Sequence, residues 1–222
     1  MMSQDDIQAV AFDLDGLMFN TETLYIQVAE EMLLRRGHQL DMRMIHKMMG
    51  LPANVAYQIM IQWYELTDCV EKLEAETRDL FDRLLPVSLA PMPGLLELLR
   101  EIDRVGLPKA IVTSSGRQQL ERILDTAQLP AAFDFTLTAD DVDQGKPHPE
   151  IYQMAAGRFG VDPCAMVVLE DSELGCRAAL AARATTIAVP GPHNAHAQYD
   201  GVAMVAESLA DPRLRQLVVG NG

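Results

Sequence analysis

The sequence predicts an α/β protein: a doubly wound parallel sheet with a helical segment inserted into it. Apolar runs of strand length alternate with helix-length segments over most of the chain. This alternation is typical of right-handed crossovers between parallel strands. The stretch from 21 to 85 has helical patterns only. We therefore predict a core domain of residues 1–20 and 86–222, and a small helical domain of residues 21–85.

Five strands are predicted in the core, each an apolar run that ends at polar or turn residues: Ile7–Asp13, Lys109–Thr113, Phe133–Leu137, Met166–Leu169 and Thr185–Val189. The predicted core helices are Gly94–Val105, Arg117–Gln128, Pro149–Phe159 and Glu173–Ala182. Helix stop signals divide the insertion into Thr21–Arg36, Met42–Met49, Asn54–Tyr64 and Asp68–Leu85. The proline-rich segment Pro86–Gly94 is predicted to return the chain to the core, paired with Leu17–Asn20 on the way out.

Composition excludes several classes of protein. The net charge of −14 argues against nucleic acid or an anionic membrane surface as a partner. Three cysteines without C-x-x-C spacing favour a reducing compartment over a disulfide scaffold. The N-terminal residues lack an apolar signal core, and no apolar run reaches transmembrane length. We expect a cytoplasmic protein that is a monomer or a weak oligomer.

The most informative motif is Asp13-Leu14-Asp15-Gly16-Leu17, which follows the apolar run Ile7–Phe12. Two carboxylates at the end of a buried strand repel each other and are costly to desolvate, so the pair requires a compensating cation. By itself the motif also fits a polar exit from a strand into a turn.

Three later segments have the same design, a strand or rigid loop that presents polar groups. They are Ala110–Gly116, with three hydroxyls before a helix; Gly145–Glu150, with one lysine between a glycine and two prolines; and Ala165–Ser172, with two adjacent acids. Each has an ordinary structural explanation as well, namely a helix cap, a solvated lysine loop or a second helix cap. Together they favour one site, because ligands bind outside the carboxyl ends of parallel strands.

The order and the residue types of these segments resemble those of the haloacid dehalogenase-like superfamily of phosphotransferases with an aspartate nucleophile. D-x-D-G-L, the strand ending in T-S-S, G-K-P-x-P-E and E-D-S-x-x-G-x-x-A-A correspond in sequence to its four motifs. More narrowly, the chain is similar to the branch that contains β-phosphoglucomutase and small sugar-phosphate or nucleotide phosphatases. The segment Gly16–Glu22 is similar to the opening of pseudouridine-phosphate-type phosphatases. The resemblance implies a Rossmann-like core with an inserted helical cap.

The resemblance also implies the chemistry. Asp13 would be the nucleophile that forms an aspartyl-phosphate, and Asp15 would be the general acid and then the base. Thr113 and the amide of Ser114 would hold the phosphoryl oxygens, and Lys146 would offset charge in the transition state.

Oxygen ligands and phosphate chemistry point to Mg²⁺ as the cofactor. By the resemblance, Asp13, the backbone carbonyl of Asp15 and Asp171 would hold it, with Glu170 close by. Which of Glu170 and Asp171 is the direct ligand stays open, with a preference for Asp171.

Phosphatase and phosphomutase share these motifs, so the insertion must distinguish them. In β-phosphoglucomutase-like enzymes it carries a histidine, a lysine and an arginine, and those positions fall here on Tyr25, Met49 and about Ala53. Because a bisphosphate intermediate needs a cationic clamp at each end, the sequence favours a phosphatase of a small phosphorylated metabolite. Nearby cationic residues keep a mutase possible, and a phosphate-binding protein without activity is a third reading.

Overall fold

A computed structural model gives the structure of the chain and describes residues 7–48, 51, 53–129, 133–194 and 197–220. The chain forms two compact units, Met1–Asn20 with Ala90–Gly222, and Thr21–Leu89. We refer to them as the core unit and the helical unit. Met49, at the position of the mutase lysine, and Gly50, the predicted stop of the second helix, lie outside the described residues.

The core unit is built on a six-stranded sheet in which every neighbouring pair is parallel. Its strands are β1 Ala9–Phe12, β2 Lys109–Val112, β3 Phe135–Leu137, β4 Met166–Glu170, β5 Thr185–Ala188 and β6 Met204–Val205. The spatial order is β3-β2-β1-β4-β5-β6. From β1 the chain adds β2 and β3 on one side, and it then adds β4, β5 and β6 on the other side. The boundary between β1 and β4 is therefore the reversal point of the sheet, which is where doubly wound folds bind ligands. The predicted fold class is confirmed.

The helices of the core unit are α5 Leu95–Val105, α6 Arg117–Ala127, α7 Glu150–Phe159, α8 Glu173–Ala181 and α9 Pro212–Val219. β1, β2 and β4 are buried along their whole length, which is why they read as unbroken apolar runs. Two elements of the core unit, β6 and α9, were not predicted from the sequence. β6 is a two-residue edge strand, too short to give a pattern, whereas α9 begins at Pro212 with Asp211 as its N-cap, which is a start signal in the sequence.

Two segments of the core unit pair with each other where the chain leaves for residues 21–89 and returns. The amide of Met92 donates to the carbonyl of Met18 at 2.8 Å, and the amide of Asn20 donates to the carbonyl of Ala90 at 3.1 Å. The side-chain Oδ1 of Asn20 accepts a further 2.7 Å hydrogen bond from the amide of Ala90. Both connections are therefore held by the core unit up to residues 20 and 90.

The helical unit contains α1 Thr21–Leu34, α2 Met42–Met48, α3 Ala53–Tyr64 and α4 Val70–Ser88. Within it, α4 packs on α1 and α3, and α2 packs on α3. The predicted stop at Pro86 is wrong, because α4 continues to Ser88. A proline so near the end of a helix removes only one hydrogen bond, and Leu85 is buried beside it. Among the described helices we find no membrane-spanning candidate, since none has the required length and apolar composition.

Candidate active site

The candidate site lies at the carboxyl ends of β1, β2 and β4. Asp13 directly follows β1, Thr113 directly follows β2, and Glu170 and Asp171 end and follow β4. Phe12 pairs with Leu169, and the amide of Asp13 donates to the carbonyl of Leu169 at 3.0 Å. This register places Asp13 alongside the acidic end of β4, so residues that are far apart in sequence meet at one edge of the sheet.

The side chain of Lys146, 5% exposed, lies at the centre of this arrangement. Its Nζ donates to Oδ1 of Asp13 at 2.6 Å, to Oε1 of Glu170 at 2.7 Å and to the carbonyl of Val112 at 3.0 Å. Burial opposes the charge on this amine, but the carboxylates of Asp13 and Glu170 raise its pKa well above the ordinary lysine value. The group is therefore a fixed ammonium beside the predicted nucleophile.

Asp13 is also buried, with 6% of its surface exposed. Burial raises its pKa to about 8, with opposition from Lys146 and a further increase from the charges of Glu170 and Asp15. An aspartate must be ionised to attack phosphorus, so this pocket needs positive charge in addition to the lysine.

Glu170 has both carboxylate oxygens engaged by the protein. Oε1 accepts from Lys146 and, at 2.8 Å, from the hydroxyl of Tyr152. Oε2 accepts from the amide and the hydroxyl of Ser172, at 3.2 and 2.9 Å. Gly175 lies against this carboxylate, and a Cβ at that position would overlap it. These contacts hold Glu170 as the partner of the lysine.

Asp15 lies in the turn after β1, where Gly16 has a φ of +77° that favours glycine. Oδ2 of Asp15 accepts from the hydroxyl of Ser115 at 2.6 Å and from that of Thr113 at 3.4 Å. Its Oδ1 is buried and has no hydrogen-bond partner in the part of the chain that is described. A buried orphan oxygen of this kind suits a group that exchanges a proton or binds an incoming ligand.

The hydroxyl-bearing residues that follow β2, Thr113, Ser114 and Ser115, differ in exposure and in their contacts. The side chain of Ser114 is exposed, whereas Thr113 is buried and its Oγ1 accepts from the amide of Ser115 at 3.0 Å. The first amide of α6, on Arg117, donates at 2.8 Å to Oδ2 of Asp140, which follows β3. Asp140 therefore caps the start of α6 from a distant segment, a contact that no local motif predicts.

Asp171, 3% exposed, is held from a loop that follows β5. Nδ2 of Asn194 donates to its Oδ2 at 2.7 Å and to its carbonyl at 3.1 Å. The hydroxyl of Tyr199 donates to the same carbonyl at 2.6 Å. The two oxygens of Asp171 that these side chains contact are therefore fixed relative to β4.

The acids of the site fit a divalent cation. Each of Asp13, Glu170 and Asp171 offers a carboxylate oxygen, and these oxygens lie within 4.8 Å of one another. Buried carboxylates at this spacing require positive charge, and hard oxygen donors suit Mg²⁺ or a similar ion. The orphan oxygen of Asp15 and the raised pKa of Asp13 are further signs of charge that the protein itself does not balance.

The loop that carries Lys146 is shaped by Glu150. Oε1 and Oε2 of Glu150 accept from the amides of Asp143 and Gln144, at 2.9 and 3.0 Å. The final Glu of G-K-P-x-P-E thus closes the loop on itself, which holds the backbone on both sides of the lysine.

The structure brings together the predicted residues Asp13, Asp15, Thr113, Lys146, Glu170 and Asp171, with Ser114 on the same segment as Thr113. Other side chains that contact the site were not predicted, among them Ser115, Tyr152, Asn194 and Tyr199. Ser115 lies in the quoted T-S-S segment and could have been proposed. The others come from a helix interior and a loop without a motif, so only the tertiary structure reveals them.

The family model of haloacid dehalogenase-like hydrolases matches residues 10–189, and the chain belongs to this family. It is 34% identical over 208 residues to a probable pseudouridine-5'-phosphatase of Drosophila melanogaster, covering 90% of this chain and 89% of that protein. It is 32% identical over 209 residues to a bifunctional riboflavin kinase/FMN phosphatase of Arabidopsis thaliana, covering 93% of this chain but 55% of that longer protein.

Solved structures agree with the family assignment. A HAD family hydrolase from Deinococcus radiodurans R1, solved with bound phosphate and sodium, superposes with a TM-score of 0.79 at 30% identity. The match covers 95% of this chain and 94% of that one. Both the architecture and the sequence of this chain are therefore those of the family.

Proposed function

We propose that this chain is a Mg²⁺-dependent phosphatase that hydrolyses a small phosphorylated metabolite through an aspartyl-phosphate on Asp13. The observation that carries the proposal is the position of Asp13, buried at the reversal point of the sheet, 2.6 Å from the ammonium of Lys146 and among further carboxylates. Relatives with phosphatase names support the same reaction class.

In the first half-reaction, a carboxylate oxygen of Asp13 forms a bond to phosphorus and the bond from phosphorus to the ester oxygen breaks. Asp15 gives its proton to that leaving oxygen. Lys146 keeps Asp13 in place and offsets the charge that develops on the phosphoryl oxygens, while Thr113 and the amide of Ser114 bind those oxygens.

In the second half-reaction, Asp15 takes a proton from water, whose oxygen attacks the phosphorus and releases Asp13 and phosphate. The bound cation would neutralise charge between the carboxylates and the phosphate. Asp13, the backbone carbonyl of Asp15 and Asp171 would hold it, with Glu170 nearby. We choose Asp171 over Glu170 as the direct ligand because Glu170 already accepts four protein hydrogen bonds.

We propose that the helical unit, Thr21–Leu89, supplies substrate specificity as a lid. The chain enters it directly after the segment that carries Asp15, and an insertion at that point is well placed to respond to substrate. As part of the same proposal, the core unit, residues 1–20 and 90–222, is the catalytic domain, for which the sequence had predicted residues 1–20 and 86–222.

The test is phosphate release from phosphorylated sugars, polyols, nucleotides and pseudouridine phosphate, with Mg²⁺ and with EDTA. Wild type is compared with Asp13→Asn and with a matched control, Asp125→Asn, at an exposed position of α6. We expect release that depends on metal, is lost in Asp13→Asn and is retained in the control, with all three proteins folded. Activity in Asp13→Asn would exclude the covalent mechanism.

Two further outcomes would redirect the assignment. Conversion of β-glucose 1-phosphate to its 6-phosphate without net release of phosphate would support the mutase. Binding of phosphate without turnover of any compound would support the phosphate-binding protein. A mass increase by one phosphoryl group after rapid quenching of Asp15→Asn would identify the intermediate directly.

A further inference from the structure

Tyr152 is a fully buried residue of α7 that contacts the site from inside the core. It belongs to the apolar cluster formed by the sheet, α7 and α8. Its hydroxyl donates to Oε1 of Glu170 at 2.8 Å, and the Nζ of Lys146 lies 5.0 Å from the centre of its ring. One side chain therefore touches both members of the buried ion pair.

The Lys146 ammonium is shared between two carboxylates at nearly equal distance, 2.6 Å to Asp13 and 2.7 Å to Glu170. Its third proton donates to the carbonyl of Val112. Because all three donors are used, the position of the ammonium depends on how strongly each acceptor attracts it. In a buried site such attraction is little screened.

The Tyr152 hydroxyl acts on this balance. It donates to the same Oε1 that accepts from Lys146, so it satisfies part of the negative charge of Glu170 and fixes where that oxygen lies. Without the hydroxyl, Oε1 would retain the lysine as its donor, and the ammonium would shift toward Glu170 and away from Asp13.

We propose that Tyr152 is a positioning residue for the reaction, whose hydroxyl holds Glu170 so that the Lys146 ammonium stays against Asp13. The catalytic consequence rests on the proposed phosphatase function, but the positioning itself does not. The rest of the tyrosine ring packs in the core, so Tyr152→Phe removes the hydroxyl and keeps the packing.

The first readout is the ammonium resonance of Lys146 in protein labelled with ¹⁵N-lysine. The chain has only four lysines, which makes the assignment simple. Lys109 is a second buried lysine, paired with Asp103, and serves as an internal control. We expect Tyr152→Phe to shift the Lys146 resonance and to leave that of Lys109 in place.

The second readout is steady-state kinetics on a substrate found by the phosphate-release screen. We expect kcat to fall on the order of 10-fold with KM within about twofold, because the ammonium is displaced from reacting groups rather than from the bound substrate. The matched control is Thr185→Val, which removes a buried hydroxyl that donates at 2.9 Å to the carbonyl of Cys164. Thr185 starts β5, at the opposite end of the sheet from the site, so kcat should stay at the wild-type value.

An unmoved Lys146 resonance in folded Tyr152→Phe overturns the proposal, and so does an unchanged kcat in an active enzyme. Thermal unfolding of both variants separates a loss of stability from a loss of positioning. If wild type releases no phosphate from any compound, the proposed function fails and the resonance alone decides the role of Tyr152. A shift then supports positioning of the ion pair, and no shift overturns it.

Discussion

The hydroxyl of Ser115 donates a 2.6 Å hydrogen bond to Oδ2 of Asp15, across 100 residues of sequence. Since the other oxygen of Asp15 is buried without a partner among the described residues, this bond is the main constraint that the structure shows on the carboxyl group. Ser115 thereby links the turn after β1 to the segment after β2.

Ser115→Ala should lower kcat by about 10–100-fold, because Asp15 loses the donor that orients it for proton transfer. KM should change little, since the phosphoryl oxygens are assigned to other groups. Steady-state kinetics on the identified substrate provide the measurement. Ser208→Ala, which removes a hydroxyl that accepts from the amide of Ala210, is the control. Equal kcat values in the two variants would contradict the assigned role of Ser115.

Gly175→Ala should destabilise the core unit by about 1–3 kcal/mol, because the new Cβ would overlap the buried Glu170 carboxylate. Gly157→Ala provides a close comparison. Gly157 lies in α7 with open space around its Cβ position, so alanine there should stabilise by about 0.5–1 kcal/mol. Chemical denaturation of both variants tests the prediction. If Gly175→Ala is as stable as wild type, Glu170 is not packed as described.

Asn194→Ala should weaken binding of Mg²⁺ by about 10–100-fold, because Asp171 loses the amide that orients its carboxylate. Tyr199→Phe should have a smaller effect, since that hydroxyl bonds to the carbonyl of Asp171 rather than to its carboxylate. Calorimetric titration with Mg²⁺ gives both affinities without reliance on turnover. An unchanged affinity for Mg²⁺ in Asn194→Ala would contradict the prediction that this loop orients Asp171 as a metal ligand.

The helical unit should lose stability at acidic pH through the network that joins Arg36 to Asp68 and Glu76. Hydrogen bonds from Arg36, with help from Lys72 at Asp68, hold the pKa values of both carboxyls below their ordinary range. A carboxyl group whose pKa is lower in the folded state stabilises that state at pH values above its unfolded pKa of about 4. That contribution to stability is lost as the pH falls from about 4 toward the lower pKa values that the two carboxyls have in the folded state.

Asp68→Asn should therefore cost about 1–3 kcal/mol at pH 7 and distinctly less at pH 3. Trp63, the only tryptophan of the chain, lies in α3, so its fluorescence during urea unfolding reports on the helical unit. Asp79→Asn, at an exposed position of α4, should show no such difference between the two pH values. A cost for Asp68→Asn that does not depend on pH would contradict the ionic origin of the contact.

Much of the fold could be predicted because the central strands are buried on both faces. β1, β2 and β4 must be apolar throughout, so their ends stand out as the points where polar residues begin. Where burial is weaker the sequence pattern failed: β6 is a short edge strand with little to bury, and the packing of α4 outweighed the helix-breaking tendency of Pro86.

The candidate site also has one part that the sequence predicts and another that only the tertiary structure shows. The sequence by itself determined the acids, hydroxyls and lysine that follow the strands, because those groups are costly to bury and are concentrated in short local motifs. Only the tertiary structure decided that Glu170 faces Lys146 and Tyr152, and that Ser115 and Asn194 hold Asp15 and Asp171. The physical reason is that hydrogen bonds between distant segments depend on the register of the sheet and the packing of helices on it, and neither is encoded in a local motif.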